Sequence, residues 1–189
     1  MKTGMLTSIF VLFFAITNLK AQKFFQDTNY KWGLKDITGK VIIAGKYDNA
    51  GVTNPYFSEG LAFVVINKKY GFIDRKGNEI IPLQYDYDNY AEPYFREGFA
   101  PAKMNGKYGF IDKTGKVVIP VKYNKVDAFS GGLAPIQLEV GGKWGYIDKT
   151  GKEVIAPQYD QANIFRNGKA YVLLNGKWIY IDKTGIEIN

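Results

Sequence analysis

Beyond residue 22 the chain is written in short apolar or β-branched runs separated by turn residues, and the spacing of those runs repeats. In one copy, residues 99–104 and 108–112 form two runs joined by Asn105-Gly106, and Val117-Val118-Ile119 follows after Lys113-Thr114-Gly115. Asn-Gly between two such runs predicts a two-residue hairpin, because both central positions of a type I′ turn need positive φ. Lys113-Thr114-Gly115 predicts a three-residue loop in which Gly115 takes the left-handed conformation and the Asp112 carboxylate accepts backbone hydrogens across the turn. Pro120 lacks a ladder donor and is expected to end the third strand. The unit therefore reads as three antiparallel strands, A, B and C.

A two-residue turn fixes the register of strands A and B. Met104 then lies opposite Lys107, Lys103 opposite Tyr108, Ala102 opposite Gly109, Pro101 opposite Phe110 and Ala100 opposite Ile111. One face is bulky and aromatic, and the other is thin at Ala102 and Gly109. A glycine inside a strand marks the close approach of another backbone, so the thin face is expected to seat a neighbouring unit's side chains.

The unit occurs five times. Its aromatic-glycine pair appears at Trp32-Gly33, Tyr70-Gly71, Tyr108-Gly109 and Trp144-Gly145, and finally as Trp178-Ile179, at spacings of 38, 38, 36 and 34 residues. Each pair is followed by Asp-x-x-Gly, from Asp36 to Gly39, Asp74 to Gly77, Asp112 to Gly115, Asp148 to Gly151 and Asp182 to Gly185. A β-branched segment comes next and closes on Tyr47-Asp48, Tyr85-Asp86, Tyr123-Asn124 or Tyr159-Asp160. Phe-x-x-Gly-x-Ala then leads into the next unit, from Phe57, Phe95, Phe129 and Phe165. Asn175-Gly176 and Gly141-Gly142 occupy the hairpin position, while Asn67-Lys68 is a weaker turn because lysine tolerates positive φ poorly. Ala134 precedes Gly145 by 11 residues where the second and third units have 9, which predicts a longer or bulged strand A in the fourth unit.

This pattern resembles the WG-repeat family, also called KWG repeats, over nearly the whole chain beyond residue 22. Trp32-Gly33 and Trp144-Gly145 carry the family's dipeptide, Tyr70 and Tyr108 stand in for its tryptophan, and Ile179 replaces its glycine. The resemblance implies a β-rich repeat protein of the kind often exported by bacteria, and it supplies no catalytic residues. A period of this length marks a repeat architecture. The expected fold is all-β, five three-stranded antiparallel β-meanders with fifteen strands in an open β solenoid. A five-bladed propeller-like closure is the alternative, but propeller blades carry four strands in about 40–45 residues. The units fall near residues 23–59, 60–97, 98–131, 132–167 and 168–189.

Residues 1–21 have the layout of a secretory signal peptide, with Lys2, an apolar run over residues 6–16 and Ala21 before the expected cleavage. That run is shorter than the roughly 20 apolar residues of a membrane span. Residues 22–189 form the repeat domain, secreted or periplasmic and without a membrane span. The chain has no cysteine, so neither disulfides nor a lipidated N-terminal cysteine is available. It also has no histidine, which removes the commonest general base and the commonest transition-metal ligand. Taking Lys2 and Lys20 from 25 basic residues leaves 23 against 18 acidic ones, a formal charge of +5. The lysines recur at turns, so nucleic acid is not expected as a partner.

Turn formation accounts for the Asp-x-x-Gly carboxylates better than a cation site, since each loop offers one acidic side chain. No nucleophile motif, phosphate loop or metal cluster is visible, and the chain reads as non-catalytic, with no cofactor. The remaining candidates lie in the aromatic segment between strand C of the second unit and strand A of the third. Tyr87, Tyr90 and Tyr94 offer rings there, and Asp86 and Asp88 offer carboxylates. Two readings stand: an interaction module for protein or peptide, and a carbohydrate-binding module in which those tyrosines stack on sugar rings. Burial of the rings between units is the competing structural role.

Overall fold

The structure is a computed structural model of the 189-residue chain, and it describes residues 22–50, 56–88 and 93–188. The expected signal peptide lies outside the described residues. Five antiparallel sheets follow one another along the chain. The first holds β1 (Lys23–Gln26), β2 (Trp32–Lys35) and β3 (Val41–Tyr47). The second holds β4 (Leu61–Ile66), β5 (Lys69–Asp74) and β6 (Glu79–Asp86), and the third β7 (Ala100–Met104), β8 (Lys107–Ile111) and β9 (Val117–Tyr123). The fourth adds a short leading strand, β10 (Lys125–Val126), before β11 (Leu133–Gln137), β12 (Trp144–Asp148) and β13 (Glu153–Tyr159). The fifth does the same, with β14 (Gln161–Ala162), β15 (Ala170–Leu174), β16 (Lys177–Ile181) and β17 (Glu187–Ile188). Close strand contacts run within a sheet or between consecutive sheets, as in an open β solenoid.

The expected register of the third unit is the one observed, from Met104↔Lys107 to Ala100↔Ile111. Asn105 and Gly106 have φ of 50° and 79°, the type I′ signature. Two details of the meander differ from expectation. The count is seventeen strands among the described residues, because the segments after Tyr123 and Tyr159 pair with the next strand as β10 and β14. Pro120 does not end strand C, which runs on to Tyr123. Phe110 pairs with Ile119 and Tyr108 with Tyr123, so four residues of β9 span two of β8. Pro120 sits in that bulge, where no ladder donor is required.

The bulge also reassigns Gly109. A Cβ there would lie 2.5 Å from the Ile119 carbonyl oxygen and 2.9 Å from the Val121 nitrogen. The backbone that approaches it is its own unit's strand C, not a neighbour's side chain. Gly71 and Gly145 face Ile81 and Ile155 in the same way. In the fourth unit, β11 keeps the standard register, with Ile136 opposite Gly145. The two extra residues therefore enlarge the hairpin loop rather than lengthen strand A. Of Gly141 and Gly142 only Gly141 has positive φ, and the buried Gln137 side chain donates to the Gly142 carbonyl at 2.7 Å, bracing the wider loop.

The core is a series of junctions. Phe63, Tyr70, Phe72, Ile81, Tyr85 and Phe95 present large side chains that pack on Ala100, Ala102 and Ile111 of the following unit. Tyr108, Phe110, Tyr123 and Phe129 meet Ala134, Ile136 and Ile147 in the same sense, and Tyr146, Tyr159 and Phe165 meet Ala170, Val172 and Ile181. Each unit thus has an aromatic face and a small aliphatic face, and the one fills the other. In the first sheet Lys23, Phe25 and Lys35 stand where the third has Ala100, Ala102 and Ile111, and Lys35 Nζ lies 5.6 Å from the Phe25 ring centre. On the outer face of the fifth, Tyr171 stacks on Trp178 and lies tilted against Tyr180, and all three are exposed.

The turn glycine is where the neighbour touches. Gly115 has φ of 84°, and a Cβ there would lie 3.1 Å from Ile81 Cγ2 of the preceding unit. Tyr85 of that unit donates its hydroxyl to the Gly115 carbonyl at 2.9 Å. Gly115→Val is therefore expected to cost more than about 1 kcal/mol, since strain at positive φ adds to the contact with Ile81. An unchanged denaturant midpoint would remove both the turn and the junction from this account.

Candidate functional site

The regular carboxylates are spent on turns and clamps. Asp112 Oδ1 accepts the Thr114 and Lys116 N–H groups at 2.9 and 3.1 Å and the Thr114 hydroxyl at 2.6 Å. Asp36, Asp148 and Asp182 repeat the arrangement with Thr38, Thr150 and Thr184. The threonine hydroxyl, with the backbone donors, holds each of these four carboxyls below its ordinary value. The aspartate of Tyr-Asp is a second device: Asp48 accepts Lys31 Nζ at 2.5 Å and the Asn67 N–H at 2.7 Å, so it joins its own unit to the next hairpin. Asp160 does the same with Lys143 and Asn175. A third clamp is glutamate in the inter-unit turn. Burial pushes the Glu97 carboxyl up, but Lys149 at 3.1 Å and the Gly131 and Gly132 N–H groups outweigh it and hold it below its ordinary value.

Depressed carboxyl values fix the sign of the pH dependence. The unfolded chain binds more protons than the folded one in acid, so this stabilisation is present above the ordinary carboxyl range and lost as pH falls through the folded values. The urea midpoint is expected to stay level between about pH 7 and 5 and to drop below about pH 4. A midpoint that held steady into stronger acid would show that the clamps carry no stability.

Among the residues singled out in the aromatic segment, Asp86 is one of these clamps, bound to Lys69 at 2.5 Å and to the Asn105 N–H at 3.0 Å. Asp88 accepts Lys103 Nζ and the Tyr108 hydroxyl. Tyr87 is half-buried, 5.9 Å from the Phe63 ring, and its hydroxyl accepts Asn49 Nδ2 at 3.2 Å. Tyr94 is half-buried and stacked on Tyr56 at 4.5 Å. Tyr90 lies outside the described residues. The segment is not brought together as one site. Tyr87 and Asp88 border a hollow of about 450 Å³ with Asn49 and Lys68, whereas Tyr94 lines a different and larger groove.

That groove, of about 1100 Å³, begins at the turn that ends the second unit and runs along the third to fifth. Its lining includes residues 125–128 and 161–164, the segments that contain β10 and β14. Arg96, Arg166 and Lys169 line it, and Trp144, Tyr171 and Tyr180 contribute rings. Both short strands are edges of their sheets. Of these groove residues the sequence marks Tyr94 alone as a binding candidate, and Trp144 only as a repeat position. The signal was present in the inter-unit turns, where Ser58, Arg96, Ser130 and Arg166 hold one repeat position and alternate between hydroxyl and guanidinium.

Among the described residues no group of three or more acidic side chains could hold a metal ion, and no helix is long and apolar enough to cross a membrane. No curated protein matches the chain. Among solved structures it is similar to one described as a eukaryotic initiation factor, at 8% identity and a TM-score of 0.40, over 89% of this chain and 62% of that chain. The family model described as WG containing repeat matches residues 32–70, 70–108, 108–144 and 144–178 end to end. Those boundaries fall on Trp32, Tyr70, Tyr108, Trp144 and Trp178, the first or second residue of strand B in each sheet, and the chain belongs to the WG repeat family.

Proposed function

We propose that this chain is an exported, non-catalytic interaction module that takes an extended segment of protein or peptide into the groove of its third to fifth units. One observation carries the reading. The edge strands β10 and β14 both border the groove, and among the described residues each has one side without a hydrogen-bonded strand partner. Backbone groups on such an edge pair with an added strand, which a peptide supplies and a sugar does not. Aromatic rings beside the edge give an entering side chain something to pack on. Export rests on the layout of residues 1–21, and the non-catalytic role on carboxylates already engaged in turns and clamps. A glycan has less to stand on, since Tyr87 and Tyr94 already pack against other rings.

Titration of the isotopically labelled full chain with a capped, alternating Gln-Thr peptide tests this directly. Amide shift changes are expected at residues 125–128 and 161–164, together with slower hydrogen exchange there. Changes confined to the hollow beside Asn49 and Tyr87, or none at all, would sink the groove as the binding face.

A further inference from the structure

We propose that the groove selects an acidic extended segment, whose carboxylates are gripped by Arg96 and Arg166. The proposal rests on the groove being the binding face and names the chemistry of what it takes. The four inter-unit turns begin with Ser58, Arg96, Ser130 and Arg166, each paired by a bridge to the residue three positions on. At the two serines the side chain is a latch: Ser58 Oγ donates to the Phe95 carbonyl at 2.6 Å and Ser130 Oγ to the Phe165 carbonyl at 2.5 Å, each one repeat further along. At the two arginines the latch is gone. Their side chains line the groove instead, and among the described residues neither makes an ion pair or a side-chain hydrogen bond.

The balance of charge in the groove points the same way. Arg96, Lys125, Arg166 and Lys169 line it against Asp127 and Asp160, and Asp160 is already paired with Lys143. Lys169 keeps its ammonium 4.3 Å from the Tyr180 ring centre, where it adds positive charge at the rim. A guanidinium presents a planar fork of donors that matches a carboxylate with two parallel hydrogen bonds. In an extended chain, alternate side chains point to one side. A segment laid along β10 or β14 therefore offers every second side chain to one wall of the groove. Phosphates would meet the same arginines, but a nucleic acid has no peptide backbone for the edge strands to pair with, so the observations favour an acidic peptide.

The test is calorimetric titration of the full chain with capped alternating Glu-Thr, Gln-Thr and Lys-Thr peptides and with oligodeoxythymidylate. Glu-Thr is expected to bind roughly tenfold tighter than Gln-Thr, with a preference that fades as salt rises. In Arg96→Gln/Arg166→Gln most of the preference for Glu-Thr over Gln-Thr should disappear, and a preference that survives at its full size overturns the role given to the two arginines. Should that variant not fold, the salt dependence of the unaltered chain still decides: a Glu-Thr affinity insensitive to salt overturns the proposal. Equal binding of Glu-Thr and Gln-Thr overturns the acidic selectivity and leaves the groove as the binding face. Binding of no peptide overturns both readings, and tighter binding of oligodeoxythymidylate overturns the peptide class.

Discussion

Gly109→Ala is expected to destabilise the chain by about 3 kcal/mol or more, although it adds one methyl group to a buried strand. The size follows from what the methyl meets. An alanine Cβ would be placed 2.5 Å from the Ile119 carbonyl oxygen, 2.9 Å from the Val121 nitrogen and 3.0 Å from the Pro120 carbonyl carbon. All three are backbone atoms of β9, held in place by a bulge whose ends are pinned by Phe110↔Ile119 and Tyr108↔Tyr123. Nothing flexible is available to give way, so either the bulge opens or β9 separates from β8. Gly106→Ala is the control, because Gly106 has positive φ at 79° but nothing within 4 Å of its Cβ position. Only backbone strain is at stake there, about 1 kcal/mol. The fifth unit already contains the comparison. Ile179 stands where the glycine would be, and β17 pairs only Glu187 and Ile188 with Ile181 and Tyr180, so among the described residues no bulged strand C crosses it. Equal denaturant midpoints for the Gly109 and Gly106 variants would overturn the steric account.

The glycines also show how far the sequence reaches. Asn105-Gly106 and Asp112-Lys113-Thr114-Gly115 could be read because their chemistry is local: positive φ and a carboxylate two to four residues from its donors are properties of a short stretch. The register of β7 on β8 followed from the same turn. The two kinds of glycine exchange the roles that the sequence predicts, since Gly109 faces its own unit and Gly115 touches the preceding one at Ile81. A glycine inside a strand reports that a backbone comes close, not which backbone. Settling that needed the four-against-two bulge at Pro120, and proline there reads equally well as the end of a strand. The groove was less legible. The tyrosines and aspartates after the second unit drew attention by density, yet Asp86 and Asp88 are clamps and the rings of Tyr87 and Tyr94 pack on other rings. Arg96 and Arg166 are single substitutions at one repeat position, 70 residues apart. Their common wall exists only once the units are stacked.

Phe110→Ala is expected to cost about 3–5 kcal/mol and to act locally. Phe110 is fully buried, its ring centre 4.8 Å from that of Phe129, in the junction that joins the third unit to Ala134, Ile136 and Ile147 of the fourth. In a stack where each unit packs only on its neighbours, stability is approximately a sum of unit and interface contributions, so damage at one junction is felt most by the two units that share it. Amide protection should therefore fall most in β8, β9, β11 and β12 and least in β2 and β5, which rest on other junctions. Phe110→Leu should recover much of the loss, because a branched aliphatic side chain refills most of the volume that alanine leaves empty. Native-state hydrogen exchange on the two variants reads both the size and the reach of the effect. A uniform fall in protection across all five sheets would mean that the units are coupled as one cooperative body, and the nearest-neighbour description of this solenoid would have to be given up.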